Sequence, residues 1–563
     1  MVSPKEIFSH FKLNFRIMST ILIFKLIIML PAATLGFPKI THFDLNQLHD
    51  RSVIIHLFEW KFSDIGLECE RFLGPQGYGA VQLSPANEHL VVQGHPFWER
   101  YQPISYIIQT RSGNSDDFQN MSRRCNENGV RIYADVVLNH MAAINPKPII
   151  GSAGSMADPE NFSYPSVPYK FNHFNKPCDI LDWNNETAMR NCQVTKGSRD
   201  LDQTQEYVRN KIVDYMNELI RLGVSGFRID SAKHMWPSDL EIIFSRLNNL
   251  NVDFGFASNS RPFIYHDLKD SGTDTDTMGR WEYTHLGMIT EFAVPGELGR
   301  AFRGKIKLKY LRNFGPQWNF LPSKCAIAFV EDHELQRGLG MGSGPDILTN
   351  KNGKSYKMAI AFLLAHPYGT ARLTSSYNFR HVDDGPPSNM FGEIESPITS
   401  DKDDRCQHGW VCEHRWNSIA NMVRFRNEVY GSSYSNWWDN NGKQVAFSRG
   451  EKGFTVWNLD DYDLKENMQT CLPAGTYCDV ISGTKNQNKC TGTKVEVNEE
   501  GIAHIFLSSD DANGVMAIHT GAVLGKVCLK SSFEKVISMY WKTDCFKYSW
   551  LYVEHAVHIP DIK

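Results

Sequence analysis

The segment VRIYADVVLNH, residues 130–140, decides the fold of this chain. It is an apolar run rich in β-branched residues that ends in polar side chains, which is typical of a buried strand. It directly follows SDDFQNMSRRCNENG (115–129), a helical pattern closed by Gly129. A helix followed at once by a buried strand indicates a βα repeat built on a parallel sheet.

The same alternation extends in both directions from this segment. EYVRNKIVDYMNELIRLG (206–223) predicts another helix, and VSGFRIDS (224–231) the strand after it. The predicted strands are residues 52–58, 78–85, 130–140, 224–231, 261–268, 286–292, 325–334 and 358–369. A count of about eight in this length predicts an α/β fold, a (β/α)8 TIM barrel.

Two regions depart from the alternation. Residues 141–204 are rich in Pro, Gly, Asn and Ser, and a loop of this length predicts a small subdomain inserted after strand 3. After about residue 435, short strands with turn signals predict a C-terminal antiparallel β-sandwich. We therefore divide the mature chain into barrel (37–140 and 205–435), loop-rich insertion (141–204), C-terminal β domain (436–525) and a tail without predicted role (526–563).

Composition narrows the function. The 563 residues are 42% hydrophobic with a net charge of −4, which excludes a disordered or collagen-like chain and gives no reason to expect a nucleic-acid partner. The 13 Trp and 21 Tyr are numerous. Most of them are expected in cores, but aromatic side chains also form platforms for uncharged ligands such as sugars.

The N-terminus has the layout of a secretory signal peptide. Lys5, Lys12 and Arg16 precede the apolar run 20–31, and small residues follow up to Gly36. We predict a signal peptide over 1–36, with Met18 as an alternative start, and a secreted protein without a membrane partner. An uncleaved signal anchor is the alternative, although the run is short for a membrane span. Secretion would favour disulfides among the 12 Cys and allow glycosylation at three acceptor motifs, Asn120, Asn161 and Asn185.

Four predicted strands end in clusters of carboxylates or histidines. These are Asp135 with Asn139-His140, Arg228 with Asp230, His266-Asp267, and Glu331-Asp332-His333-Glu334. One such cluster is ordinarily a helix cap. Four such clusters at the carboxyl ends of barrel strands indicate a catalytic site. Unpaired carboxylates that converge there repel one another and lose solvation, and this cost in free energy indicates that they serve a function. Paired carboxylates beside aromatic residues favour glycoside hydrolysis, and the two groups stand about 5–5.5 Å apart in retaining enzymes.

Four motifs resemble the animal-type α-amylases of the α-amylase superfamily of glycoside hydrolases, in particular those of arthropods, mites among them. They are PFWERYQPISY (96–106), DVVLNH (135–140), GFRIDSAKHMWP (226–237) and HPYGTARLTSSY (366–377), and the resemblance extends over about residues 45–525. It implies a calcium- and chloride-binding enzyme that hydrolyses α-1,4-glucosidic bonds of starch and glycogen internally, with retention. A monomer is the default expectation for the oligomeric state.

The resemblance also assigns roles by position. It implies Asp230 as nucleophile, Asp267 as acid/base and Glu334 as transition-state stabiliser. The sugar contacts would be Phe97, Trp98, Tyr101, His140, Lys233 and His333. Calcium would be bound by Asn139, Asp200 and the backbone of Arg190 and His234, and chloride by Arg228, Asp332 and Arg372. The implied disulfides are Cys69–Cys125, Cys178–Cys192, Cys406–Cys412 and Cys478–Cys490, which leaves Cys325, Cys471, Cys528 and Cys545, the last two being a candidate fifth pair.

The chain departs from the family pattern at the catalytic groups. Asp267 stands where the family has Glu, Glu334 where it has Asp, and Asp332 where it has Asn. One extra residue between Cys192 and Asp200 makes the calcium ligand Asp200 less secure. Because misplacing a catalytic group by about 1 Å can cost roughly 10²-fold and general acid catalysis contributes about 10²–10⁴-fold, we expect a lowered kcat.

These departures leave alternatives open. Asp332 would repel chloride and could pair with Arg228 directly. The chain could be a starch-binding protein that has lost catalysis or, with an uncleaved anchor, a membrane-bound partner of a transporter. The glycine-rich segment 338–344 is either a mobile loop over the groove or an ordinary connection.

Overall fold

The computed structural model describes residues 42–525, except 145–148, 270–278, 341 and 401–402. The predicted signal peptide and the tail 526–563, with Cys528 and Cys545, therefore lie outside the described residues. No helix in the described ranges is long and apolar enough to cross a membrane.

Eight parallel strands close into a barrel, as predicted. Each strand pairs with the next along the chain, and the last pairs with the first, so every strand has two parallel neighbours. The strands are β1 (Val53–Leu57), β2 (Ala80–Gln82), β3 (Arg131–Val136), β4 (Gly226–Ile229), β5 (Phe263–His266), β6 (Met288–Thr290), β7 (Ala326–Ala328) and β8 (Thr370–Ser375). They are almost entirely buried, which explains their continuous apolar runs.

The prediction of the eighth strand was wrong. The run MAIAFLLAHPYG (358–369) was taken as a strand, but Lys354–Ala365 is a helix and the strand follows it at Thr370–Ser375. Residues 358–365 of this helix are all buried. A helix buried on all sides has no amphipathic period, so its pattern resembles that of a buried strand.

Helices cover the outside of the barrel. Ser115–Glu127 shows why they form: Asn114 caps its first turn by accepting from the backbone N–H of Asp116 and Asp117, and Phe118, Met121 and Cys125 point into the core. The other helices are Phe62–Glu68 (continued by a π turn, Cys69–Leu73, and by Gly74–Gln76), Glu206–Arg221, Pro237–Ser245, Ala293–Phe302, Lys354–Ala365 and Asn417–Glu428.

The segment between β3 and β4 forms the predicted loop-rich insertion. Its core contains the buried aromatic residues Phe162, Tyr164, Tyr169 and Phe174. A short antiparallel ribbon, His140–Met141 with Arg199–Asp200, joins its two ends beside β3. The insertion also contains the short helix Glu186–Asn191.

The C-terminal part contains two four-stranded antiparallel sheets that share one apolar core, as predicted. In sheet order the first contains Tyr434–Asp439, Gln444–Arg449, Gly453–Asn458 and Val515–His519, and the second Leu464–Gln469, Ile502–Leu507, Lys494–Val497 and Gly475–Cys478. The sequence did not predict the strands that begin at Tyr434 and Leu464. The second of them, LKENMQ, buries little besides Leu464 and Met468, so its alternation is too weak to detect.

Two arginines cap one helix of the barrel, and one of them comes from this C-terminal part. Arg426, from the last helix, donates hydrogen bonds to the carbonyls of Leu363, His366 and Gly369. Arg449, from the first sheet, donates to the carbonyl of Ala365. The carboxyl end of the helix Lys354–Ala365 is therefore capped by side chains from outside it.

All four predicted disulfides are present, Cys69–Cys125, Cys178–Cys192, Cys406–Cys412 and Cys478–Cys490. Cys471 is also disulfide-bonded, whereas Cys325 is a free, buried thiol.

Candidate active site

A cavity of about 720 Å³ opens where the polar strand ends converge. Its lining includes all three predicted catalytic residues and all six predicted sugar contacts: Asp230, Asp267, Glu334, Phe97, Trp98, Tyr101, His140, Lys233 and His333. Asp230 follows β4 and Asp267 follows β5 immediately, while His333 and Glu334 lie five and six residues after β7. The parallel barrel brings these ends together, as the sequence predicted.

Arg228, at the floor of this cavity, contacts three carboxylates. Its Nη1 donates to Asp135 Oδ1 and Oδ2, both at 2.7 Å, and to Asp230 Oδ1 at 3.1 Å. Its Nη2 lies 2.7 Å from Asp267 Oδ2. Although burial alone would lower the pKa of Arg228, the surrounding carboxylates, Asp135 and Asp267 foremost, raise it well above its usual value. Arg228 therefore remains charged and fixes the positions of both Asp230 and Asp267.

Asp230 is held through both of its oxygens. Oδ1 accepts from Arg228, and Oδ2 accepts from the Ser231 hydroxyl at 2.8 Å. Ser231 has left-handed backbone angles (φ 52°, ψ 34°), which turn the chain sharply after β4. Nothing in the sequence pattern indicated this contact of Ser231.

Asp267 is bound on one side only. Its Oδ2 contacts Arg228, whereas its buried Oδ1 accepts no hydrogen bond from any described residue. Oδ1 is therefore the oxygen of Asp267 that is left for a proton or for a substrate atom.

Glu334 has an ion-pair partner that the sequence did not reveal. Lys269, two residues after Asp267, donates its Nζ to Glu334 Oε2 and also lines the cavity. Burial raises the pKa of Glu334, Asp332 and Asp267 raise it further, and Lys269 opposes them. The sequence did contain a signal that Lys269 lies at the site. It stands two residues after Asp267, and alternate residues of an extended segment share a face.

Aromatic residues form two walls of the cavity. On one wall Tyr101 stacks on His333, with ring centroids 5.4 Å apart, and its hydroxyl donates to Asp135 Oδ2 at 3.1 Å. On the other wall Trp183, from the insertion, lies edge-on to His234. Trp183 was not among the predicted contacts because an aromatic residue in a loop-rich stretch has no periodicity to mark it.

The predicted calcium ligands Asn139 and Asp200 are adjacent. Asn139 donates its Nδ2 to Asp200 Oδ1 at 3.2 Å, and its own Oδ1 is buried with no hydrogen-bond donor among the described residues. Burial raises the pKa of Asp200 well above its usual value, against hydrogen bonds from Asn175 and Asn139. A buried amide oxygen without a donor beside a buried carboxylate suits a hard cation such as Ca²⁺, so these side chains fit the predicted ion.

The other two predicted calcium ligands are neighbours of each other. His234 Nδ1 is 2.9 Å from the carbonyl oxygen of Met189, the residue before Arg190. The Arg190 side chain pairs with Glu186 and Glu282 and stacks over Trp236. The side chains of His234 and Arg190 are thus engaged in other contacts, and only their backbone carbonyls are candidates for a cation.

The predicted chloride residues differ from expectation. Arg228 does not pair with Asp332 but with the three aspartates described above, which lie on or next to its own and the neighbouring strands. Asp332 Oδ2 instead lies 3.7 Å from Arg372 Nη2. Three arginine nitrogens have no hydrogen-bond acceptor in the described ranges: Nε and Nη2 of Arg372 and Nε of Arg228. A small molecule that accepts hydrogen bonds could therefore bind there. The residues do not fit an anion, because Asp332 already places negative charge beside Arg372.

Sequence comparison identifies two matching family models. The catalytic domain of α-amylase matches residues 77–251, and the α-amylase C-terminal all-β domain matches residues 434–521. An α-amylase of Tenebrio molitor is 50% identical over 481 residues, covering 85% of this chain and 100% of the relative. An α-amylase-related protein of Drosophila teissieri is 48% identical over 499 residues, covering 89% of this chain and 99% of the relative.

Solved structures agree with these matches. A mutant of α-amylase I from Eisenia fetida, solved in complex with maltohexaose, is 41% identical, with a TM-score of 0.79 over 84% of this chain and 97% of that one. The wild-type form of the same enzyme gives 40% identity and the same TM-score. With the barrel and its cleft, these relatives define the class of protein as a glycoside hydrolase. The chain belongs to the α-amylase family.

Proposed function

We propose that this chain is a secreted α-amylase that hydrolyses internal α-1,4-glucosidic bonds of starch and glycogen with retention of configuration. The observation that supports this proposal is the convergence of Asp230, Asp267 and Glu334 on one cavity with aromatic walls. A cavity of about 720 Å³ has the size of a typical small-molecule site. The disulfides suit an oxidising compartment and therefore support secretion.

Asp230 acts as the nucleophile. One carboxylate oxygen attacks the anomeric carbon, the bond from this carbon to the glycosidic oxygen breaks, and a covalent glycosyl ester forms. Arg228 and Ser231 aim the carboxylate by hydrogen bonding to its two oxygens.

Asp267 acts first as acid and then as base. It gives its proton to the leaving glycosidic oxygen and later takes one from the water that hydrolyses the ester. The contact with Arg228 draws this carboxylate toward the barrel floor, and its side chain is one methylene shorter than glutamate. We therefore expect turnover about 10²–10⁴-fold below that of an enzyme with an ideally placed acid.

Glu334 acts as the third carboxylate and contacts the sugar bound next to the scissile bond. Its negative charge stabilises the oxocarbenium-like transition state. Tyr101, His140, Lys233 and His333 surround the same space and bind sugar hydroxyls and the ring face. Phe97 and Trp98 extend this wall by stacking.

Calcium has a structural role in this proposal. Asn139, Asp200 and the carbonyls of Arg190 and His234 would hold it, and a bound ion would join the insertion to the barrel beside the cleft. Ca²⁺ requires ionised Asp200, whose pKa is raised, so calcium should bind more tightly as the pH rises. Thermal unfolding with and without a chelator measures this: the calcium-dependent rise in Tm should be larger at pH 8 than at pH 5. An equal rise at both pH values would contradict it.

The first experiment is release of reducing sugar from soluble starch by the purified chain. Asp230→Asn is the matched blank, since it keeps shape and removes the nucleophile's charge. Release above this blank, with products of retained configuration by NMR, is the expected result. Release equal to the blank from a folded protein would overturn the proposal.

The alternative is a glucan-binding protein that has lost catalysis. The contact between Arg228 and Asp267 favours it, because one oxygen of the candidate acid is already engaged by a guanidinium. Maltooligosaccharide binding by calorimetry, together with release equal to the blank, would decide for this alternative.

A further inference from the structure

We propose that Lys269 is a positioning residue of this cleft, which holds the Glu334 carboxylate in place and in its charged form among the neighbouring carboxylates. The proposal rests on the proposed function, since it concerns the group that contacts the sugar. It assigns a role to a residue that the motifs of the sequence do not mark.

The position of the pair links two separate parts of the barrel. Lys269 belongs to the segment after β5, and Glu334 to the segment after β7. In the barrel order β6 lies between these strands, so the ion pair spans the end of β6. The Lys269 and Glu334 side chains are only 27% and 25% exposed, so the pair is more shielded from solvent than an ordinary surface salt bridge.

The groups facing Glu334 include three other carboxyl groups. Asp332 and His333 come from its own segment, Asp267 and Lys269 from the segment after β5, Asp230 and Lys233 from the segment after β4, and Tyr101 from the aromatic wall. Asp332 and Asp267 both disfavour a charge on Glu334, and burial adds to this effect. Lys269, which bonds Glu334 directly, opposes all three.

Leu339 and Gly340, from the glycine-rich stretch, lie next to this pair. Gly340 has φ +77°, and a Cβ at this position would lie 3.2 Å from Lys269 Nζ and 3.5 Å from Glu334 Oε2. The backbone N–H of Leu339 donates to the Glu334 carbonyl at 3.1 Å, and Leu339 lines the cavity. Gly340 therefore leaves room for the pair, and a larger residue at this position would press on it.

The pair also bears on the exchanged catalytic side chains. Arg228 contacts the shorter Asp267, and Lys269 binds the longer Glu334. Each exchanged side chain therefore has a cation of its own. Lys269 and Glu334 therefore act together, and the effect of Glu334 on catalysis depends on Lys269.

The test measures the pH dependence of kcat and kcat/KM for Lys269→Met, with Lys269→Arg as the conservative variant. Because an opposite charge at contact lowers a carboxyl pKa by about 1–3 units, its removal should raise the pKa of Glu334. We expect the acid limb of the Lys269→Met profile to move up by about 1 pH unit or more, with Lys269→Arg close to wild type. Lys305→Met, which breaks the exposed Lys305–Asp346 pair, is the matched control and should leave the profile unchanged.

The outcomes separate this proposal from the proposed function. An active wild type with the same profile in Lys269→Met overturns the role of Lys269, as does an equal loss of activity in both variants without a shift in pH. If the wild type shows no activity above Asp230→Asn, the same variants are compared by the pH dependence of maltoheptaose affinity in calorimetry. The same shift in Lys269→Met supports the pair there, and superimposable curves overturn it.

Discussion

The cleft holds its carboxylates in two different ways. On the side of β3–β5, Arg228 is 2% exposed and contacts Asp135, Asp230 and Asp267 at 2.7–3.1 Å. On the side of β7, Glu334 is held by Lys269, and both side chains are about a quarter exposed. The buried guanidinium fixes the positions of several groups at once. Its removal would leave all of them without a counter-charge. The Lys269–Glu334 pair is less buried than Arg228. Substitutions that change side-chain charge or length should therefore destabilise the barrel less on this side.

The largest expected effect comes from removing the buried cation. Arg228→Met leaves three buried carboxylates without their counter-charge, and breaking a buried pair in this way costs about 3–5 kcal/mol. Urea denaturation followed by tryptophan fluorescence measures the loss. Lys269→Met, the matched change on the other side of the cleft, should cost less than Arg228→Met, because Lys269 and Glu334 are each about a quarter exposed. Similar losses in the two variants would show that the two sides do not differ as described.

A smaller effect is expected from restoring the length of the acid. Asp267→Glu extends the carboxyl group by one methylene away from Arg228 and toward the cavity. If short reach limits proton donation, kcat on soluble starch should rise by about 10²-fold. Asp267→Asn should instead fall to the level of Asp230→Asn. A lower rate in Asp267→Glu would mean that the contact with Arg228 places Asp267 where this chain needs it.

The smallest effect is expected from chloride. Arg228 is already neutralised by three aspartates and Arg372 lies beside Asp332, so replacing chloride by acetate at constant ionic strength should change kcat/KM by less than about two-fold. Asp332→Asn removes the competing charge and should make the rate depend on chloride. Strong chloride dependence of the wild type would show that the anion is bound despite Asp332.

The sequence predicted the order of the barrel strands and nine residues that line its cavity, because strand-end positions follow directly from a βα pattern. It misplaced the eighth strand, since the helix Lys354–Ala365 is buried on every side. It left the partner of Arg228 open, with Asp332 as one alternative, and the structure pairs Arg228 with three other aspartates. Which carboxylate a guanidinium reaches depends on distances of a few ångströms between strands, and no spacing along one strand encodes them. Lys269 was missed as the partner of Glu334 although its position two residues after Asp267 was an available signal.

The arginine caps on the helix Lys354–Ala365 matter for dividing the protein into separate domains. Arg449 belongs to the C-terminal sheets, yet it satisfies a carbonyl of a barrel helix, as Arg426 does from the last helix. A fragment that ends before residue 440 would leave the Ala365 carbonyl without this donor. One capping hydrogen bond of a barrel helix therefore comes from outside the barrel. Its donor is a side chain that the ribosome adds only after the whole barrel has been synthesised.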